Sequence, residues 1–145
     1  MCKILFRAKR RNNREWVCGS IVDGKVIIES PVVVSGDCFG FDGWYEIIPE
    51  TIGQYTGKMI NSWETLKEEM LFLGDVIQWS EDYDDKFGYP ATYYGKGVIV
   101  WNETNCCFGV KTSETNIQDF NDFDFDESCW IVGNIFDNPE LLQEV

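Results

Sequence analysis

Residues 15–34 read EWVCGSIVDGKVIIESPVVV, a pattern that points to a β-rich fold. Two runs rich in β-branched residues flank the pair Asp23-Gly24. Because Asp-Gly accepts the positive φ angles of a tight turn, the pattern predicts a β-hairpin with strands over residues 15–20 and 25–34. Residues 3–8 mix apolar and basic side chains and predict a strand before this hairpin. The chain is therefore expected to begin as an antiparallel meander.

Beyond the meander the sequence predicts mostly strands, separated by loops. Residues 35–44 contain Gly36, Gly40 and Gly43 and predict a loop, and the acidic residues 80–89 predict another. The further predicted strands cover residues 44–48, 75–79, 97–101, 106–112 and 130–135.

One internal segment, residues 61–73, has the pattern of an amphipathic helix. Its apolar residues repeat at spacings of three and four, at Trp63, Leu66, Met70 and Leu73. Asn61 or Ser62 is a suitable N-cap and Gly74 a suitable C-terminal stop. A second, short helix is predicted to start at Pro139, because proline at the first helical position loses no hydrogen bond.

Length and composition predict a single domain over residues 1–145. The chain has 145 residues, 44% of them apolar and 15% aromatic, which is enough to form one core without disulfides or metals. We expect a mainly β fold with short helices, of the β-rich α+β class. Its centre would be a small barrel-like sheet capped by one or two helices.

Charge is distributed unevenly along the sequence. The first fourteen residues contain six basic residues and no acidic one, whereas the other 131 residues contain six basic and 25 acidic residues, a net charge of −19. An acidic body of this kind repels nucleic-acid backbones and attracts basic partners. The residues of the basic arm that could instead contact nucleic acid, with Trp16 as a stacking ring, are Lys3, Arg7, Arg10, Arg11 and Arg14.

Residues able to perform common catalytic chemistry are scarce. The chain has no histidine, which excludes Ser–His and Cys–His nucleophilic mechanisms. Its six cysteines form no C-x-x-C pair, and no glycine-rich phosphate loop is present. We therefore predict no catalytic residues, no cofactor and no metal site. With no apolar signal segment and no stretch that could span a membrane, we expect a cytoplasmic protein with free thiols.

Acidic residues near the C-terminus alternate with phenylalanine. Asp122, Asp124 and Asp126 resemble the start of a calcium loop, but Glu127 occupies the position that needs glycine, and Gly133 the position that needs a bidentate glutamate. The alternation is better explained by an exposed acidic face and an apolar inner face. A weaker hypothesis is a metal-dependent enzyme that uses these aspartates or a second acidic group, Asp82, Asp84 and Asp85.

Five blocks in order along nearly the whole chain resemble the YopX family of phage and prophage proteins. They are Lys3-Ile4-Leu5-Phe6-Arg7-Ala8, the run from Ile48 to Gly57, Gly74-Asp75-Val76-Ile77, the run from Gly97 to Trp101, and the run from Ile131 to Leu142. The chain departs from the family pattern between Gly57 and Gly74. The resemblance implies a β-barrel-like body with short helices, a phage or prophage origin and assembly into oligomers.

Within the second block, Gln54, Tyr55 and Thr56 have either a structural role or a place on a polar binding surface. Our leading hypothesis is a non-enzymatic phage or prophage accessory protein that acts through protein–protein contact. It is expected to self-associate, and its acidic body, including Asp122, Asp124 and Asp126, is expected to bind a basic host or phage partner. The alternative is a nucleic-acid-binding barrel that uses the basic arm.

Overall fold

The computed structural model describes residues 3–126 and 128–144. These residues form thirteen β-strands and two 3-10 helices, and no α-helix occurs among them. The strands β1 to β13 are Phe6–Lys9, Trp16–Val22, Val26–Glu29, Val32–Ser35, Cys38–Phe41, Trp44–Glu46, Gly53–Ser62, Glu68–Phe72, Asp75–Asp84, Pro90–Asn102, Cys107–Ser113, Asn116–Asp119 and Trp130–Asn134. The 3-10 helices are Pro49–Thr51 and Pro139–Glu144.

The chain divides into two compact units, residues 1–57 and 58–145. In the first unit the strand order is β7-β1-β2-β3-β6, and β4 and β5 form a separate two-stranded sheet. The inner faces of the first sheet bury a small aliphatic core. Its fully or almost fully buried members are Ala8, Val17, Ile27 and Ile47.

The second unit has the strand order β12-β11-β10-β9-β13-β7, with β8 paired to β7. Its longest ladder joins β9 and β10. The core on this sheet contains Ile60, Leu71, Ile77, Ile99, Val110, Cys129 and Ile131. Three phenylalanines from the segment after β12, Phe120, Phe123 and Phe125, pack against this core.

The predicted β-rich α+β fold, with a barrel-like sheet capped by helices, is wrong, because the described chain is almost entirely β. In both units the strand order ends in two different outer strands, so neither sheet closes on itself. The predicted helix at Pro139 is a 3-10 helix, and no α-helix covers either sheet in the described part of the chain. None of the helices in the described residues has the length and hydropathy that a membrane span requires.

The helix predicted over residues 61–73 is replaced by a β-hairpin. Strand β7 continues to Ser62, whose backbone N–H donates to the Lys67 carbonyl across the turn. Trp63 and Leu66, which belong to the predicted apolar stripe, are 66% and 71% exposed, whereas the consecutive Leu71 and Phe72 are buried. Hairpin pairing of β8 with β7 therefore outweighs the helical spacing, because burial of Leu71 and Phe72 stabilises the extended form.

Three further segments test the sequence patterns. The hairpin at Asp23-Gly24 is confirmed, with both residues at positive φ between β2 and β3. The loop predicted over residues 35–44 is wrong, since β4 and β5 form a hairpin around Gly36. The loop predicted over residues 80–89 is also wrong, because β9 extends to Asp84 and β10 begins at Pro90. The single-domain prediction stays a prediction.

Gly19 is required by the close pairing of β2 with β3. A Cβ atom added at Gly19 would lie 1.8 Å from the carbonyl oxygen of Ile28, whereas nothing lies within 4 Å of a Cβ added at Gly40. We expect Gly19→Ala to destabilise the fold by about 3 kcal/mol or more, since backbone must shift. Gly40→Ala is the matched control and should change stability by less than about 1 kcal/mol. Urea unfolding followed by tryptophan fluorescence measures both; equal midpoints would contradict the predicted strand contact.

Candidate functional site

The net charge of the protein lies entirely in the second unit. Residues 1–57 contain seven basic and seven acidic residues, whereas residues 58–145 contain five basic and eighteen acidic residues. The first unit is thus formally neutral, and the second carries all of the net charge of −13. A cationic ligand would be attracted to the second unit.

A two-stranded ribbon extends from the sheet of the second unit. β9 and β10 stay paired from Val76 and Val98 out to Asp84 and Pro90. β13 pairs with β9 only up to Gln78, and β11 pairs with β10 only from Val98 onwards. In the described structure, the outer part of the ribbon therefore has no strand on either side.

A cavity of about 630 Å³ lies beside the base of this ribbon. Trp79 contributes one wall, and its ring meets that of Phe123 edge to face at 5.0 Å between centroids. The Trp79 indole also covers Gly95, where an added Cβ would lie 2.2 Å from the ring. The lining residues are Gln78, Trp79, Glu81, Tyr93, Tyr94, Gly95, Lys96, Thr112, Gln118, Asp122, Phe123 and Asp124.

Three carboxylates line the cavity. Glu81 comes from β9, next to its cross-strand neighbour Tyr93, while Asp122 and Asp124 follow β12. A tight turn positions Asp122 and Asp124, because the backbone N–H groups of Asp122 and Phe123 both donate to the Asp119 carbonyl. Lys96 is the only basic residue among the lining residues of this cavity. The cavity therefore combines aromatic rings with an excess of negative charge.

Asp119 itself stabilises the local structure. Its carboxylate accepts hydrogen bonds from the side-chain amides of Asn102, at 3.0 Å, and Asn105, at 2.8 Å. The bond from Asn102 is the main cause of a lowered pKa of this carboxyl group, because it favours the charged form. Asp119, the last residue of β12, thus connects the β10–β11 turn to β12.

The structure confirms the predicted alternation after β12. Asp122, Asp124 and Asp126 are exposed, while Phe123 and Phe125 are half-buried against the core. Only the first two aspartates line the cavity. Asp126 instead accepts a hydrogen bond from the Ser128 backbone N–H at 2.8 Å and so shapes a turn. Glu127 lies outside the described residues.

The chain was also compared with known proteins. No curated protein is significantly similar to it in sequence. Residues 5–143 match the family described as YopX protein. The chain belongs to the YopX family. The resemblance inferred from the sequence blocks is thereby confirmed, and the family match extends through both compact units.

In this YopX family member, the shared block around Gln54, Tyr55 and Thr56 forms part of β7. The three side chains are half-buried, Gln54 pairs with Phe6 of β1, and the Tyr55 N–H donates to the Leu5 carbonyl. They lie in the first unit, whereas Asp122, Asp124 and Asp126 lie in the second.

The basic arm is largely engaged with its own unit. The Arg7 guanidinium lies 4.6 Å, and the Lys9 ammonium 5.3 Å, from the ring centre of Trp16. Arg10 stacks on Tyr45 at 3.8 Å, and the side chain of Arg11 pairs with that of Glu46 at 3.0 Å. Lys3 and Arg14 are exposed, and Arg14 has a positive φ of 61° in the turn before β2.

The second acidic group of the metal hypothesis, Asp82, Asp84 and Asp85, lies along the ribbon and at its tip. Asp82 accepts a hydrogen bond from the Thr92 hydroxyl, and Asp85 closes the tip by accepting the N–H groups of Phe87 and Tyr89. No cluster of three or more potential metal ligands occurs within residues 3–126 and 128–144.

Sequence reasoning missed Trp79, Glu81 and Tyr93 as site residues. Their period-two spacing along β9 and β10 was a usable signal, since it places an aromatic residue and a carboxylate on one face of a strand. That signal was lost because the acidic run after Trp79 was interpreted as a loop.

Cys129, which follows the acidic segment, is buried in the core of the second unit. Burial, reinforced by the nearby Asp126 carboxylate, raises the pKa of this thiol to about 12. Its thiolate form is therefore negligible at pH 8, and the buried thiol should resist iodoacetamide. We expect the exposed Cys38 and Cys106 to be alkylated first, as measured by peptide mass spectrometry. In urea all three should react. Equal labelling of Cys129 in the folded protein would contradict its burial.

Proposed function

We propose that this protein is a non-enzymatic interaction module whose second unit binds a basic segment of a partner protein. The observation that carries the proposal is the cavity that Glu81, Asp122 and Asp124 line together with the rings of Trp79 and Tyr93. Family membership is compatible with a phage or prophage accessory role, which we include in the proposal.

The chemistry of the cavity suits lysine and arginine side chains. Carboxylates attract the cationic head groups, and aromatic faces interact favourably with cations and with the apolar stems of the same side chains. The adjoining ribbon adds Asp82 and Asp84, which are exposed. The formal charge of −13 in this unit would also accelerate encounter with a basic partner.

The nucleic-acid alternative has less support from the contacts. Arg7 and Lys9 already lie over Trp16, the ring proposed to stack on bases, and Arg11 is paired with Glu46. The unit that carries them has no net positive charge. Binding to labelled DNA or RNA that falls steeply with salt and is abolished by charge reversal in the arm would favour this alternative.

A peptide titration tests the proposed cavity. A short fluorescein-labelled peptide of alternating Lys and Ser should bind at low salt, and a Glu-Ser peptide should not. The triple variant Glu81→Gln, Asp122→Asn, Asp124→Asn should weaken binding by about tenfold or more, since each lost partly exposed pair is worth up to about 1 kcal/mol. Fluorescence anisotropy measures the affinities.

The matched control removes the same charge elsewhere in the unit. Glu64, Glu103 and Glu140 are exposed and do not line the cavity, so their triple change to Gln should weaken binding by less than about threefold. Equal effects of the two triple variants would mean that only the overall field matters. Absence of binding to the basic peptide at low salt would contradict the proposal.

We also propose that the chain self-associates through the β4–β5 hairpin. The cross-strand pairs Val32 with Phe41 and Val34 with Phe39 place four apolar residues on one face. Val34 is 73% and Phe39 65% exposed. Exposed apolar faces of this kind are typical of interfaces.

The charge distribution favours a second copy of the chain as the partner that binds this hairpin. The hairpin belongs to the formally neutral unit, so two copies that meet there do not bring their acidic units' charge into the contact itself. Among the described residues β4 and β5 pair only with each other, so their outer edges offer backbone donors and acceptors to a copy related by two-fold symmetry.

Introduction of a charge into the hairpin should prevent self-association. We expect the wild-type chain to be a dimer or larger, and Val34→Lys to be a monomer, because the ammonium group would have to be desolvated. Ile4→Lys is the matched control, since Ile4 is an equally exposed apolar residue of the same unit, at 75%. Light scattering after size exclusion measures the masses. A monomeric wild type at the highest soluble concentration would contradict the proposal.

A further inference from the structure

A second cavity, of about 490 Å³, lies in the second unit beside strands β9, β10 and β13. Four of the residues that line it are aromatic: Trp63, Trp79, Tyr94 and Trp130. The remaining lining residues are Gln78, Ser80, Ser128 and Val132. Half of its lining residues are therefore aromatic, in a unit where carboxylates far outnumber basic groups.

Trp63 and Trp130 together form one corner of this cavity. Trp63 and Trp130 meet edge to face, with ring centroids 5.8 Å apart and an angle of 83° between the ring planes. The backbone N–H of Trp63 donates to the Ile131 carbonyl at 2.9 Å, which holds the turn after β7 against β13. Trp63 and Tyr94 are each 66% exposed, so their rings remain accessible to a ligand.

Electrostatics favours a cation in this corner. Aromatic faces carry the negative part of the ring quadrupole and attract cations, best when several rings surround one charge. The formal charge of −13 in the same unit acts in the same direction. A neutral or anionic ligand would be stabilised neither by the ring quadrupoles nor by the negative charge of the unit.

The polar groups show which cation fits. Among the described residues no carboxylate lines this cavity. The Ser128 hydroxyl is already within hydrogen-bond distance of the Ser80 carbonyl and the Asp126 carboxylate. The other lining side chains with an acceptor are those of Gln78, Ser80 and Tyr94. An ammonium group would need all three of these acceptors at once for its three N–H donors, and a guanidinium, with five N–H donors, would leave two of them without one of these acceptors.

We infer that this cavity binds a quaternary ammonium group, as in choline. A trimethylammonium head has a full charge, no N–H donors and a methyl surface that packs against indole and phenol rings. The inference goes beyond the proposed peptide site and does not require a basic partner. It depends on the corner formed by Trp63 and Trp130, with Tyr94 as a further wall.

Ligand-observed NMR tests this site with choline chloride, by saturation transfer from the protein to the choline methyl groups. We expect saturable binding of choline, and at least tenfold weaker binding of its neutral isostere, 3,3-dimethylbutan-1-ol, which has the same shape without the charge. Methylamine should also bind more weakly than choline. Sodium chloride at matched ionic strength should not displace choline completely.

Variants locate the binding to the corner. Trp63→Leu should weaken choline binding about tenfold, and Trp63→Phe should retain most of it, since an aromatic face is restored. The leucine or phenylalanine side chain at position 63 would be exposed in either variant, so far-ultraviolet circular dichroism should show an unchanged fold. Trp44→Leu is the matched control, because Trp44 is 63% exposed in the first unit, and should leave binding unchanged.

Three results would overturn the inference. Equal binding of choline and its neutral isostere would show an apolar pocket without cation selectivity. Equal loss in Trp63→Leu and Trp44→Leu would show binding outside the corner. No saturation transfer to choline at any accessible concentration would show that the cavity does not take this group. None of these results depends on the Lys-Ser peptide, so failure here is distinguishable from failure of the proposed peptide site.

Discussion

Nine consecutive residue pairs join β9 to β10, and the second unit depends on this ladder. Its register places Trp79 opposite Gly95, where the missing side chain leaves room for the indole ring. The same register places Ile77 in the core and Glu81 beside Tyr93 at the first cavity. Because side chains alternate along a strand, a slip of one residue would expose the core residue and turn the cavity residues away.

The net negative charge and the exposed β4–β5 hairpin lie in different units. The second unit combines its acidic residues with aromatic cavities, while the neutral first unit carries the exposed hairpin of β4 and β5. Under the two proposals above, the cationic ligand and the second copy of the chain would therefore bind to different surfaces. The two cavities also differ, since carboxylates line only the first of them among the described residues.

Local signals predicted the strands well where the turn chemistry was strong. Asp23-Gly24 and the alternation of Asp122 to Asp126 with phenylalanine both have a short-range physical cause, and both appear in the structure. The helix prediction for residues 61–73 failed because the helical spacing competes with pairing of β8 to β7 and with the hydrogen bond from the Trp63 N–H to the Ile131 carbonyl, which lies outside any local window. The loop predicted for the acidic residues after Trp79 was also wrong, because high polarity is compatible with an exposed β-ribbon as well as with a loop.

The sequence by itself determined the β-rich character, the YopX family, the acidic balance and two of the three carboxylates at the first cavity. These properties depend on composition, short motifs and alternation, which are local. Only the tertiary structure decided that the sheets stay open, that Glu81 joins Asp122 and Asp124, and that Trp63 meets Trp130. Such contacts join residues far apart in sequence, and their register is set by the combined burial and hydrogen bonding of whole strands.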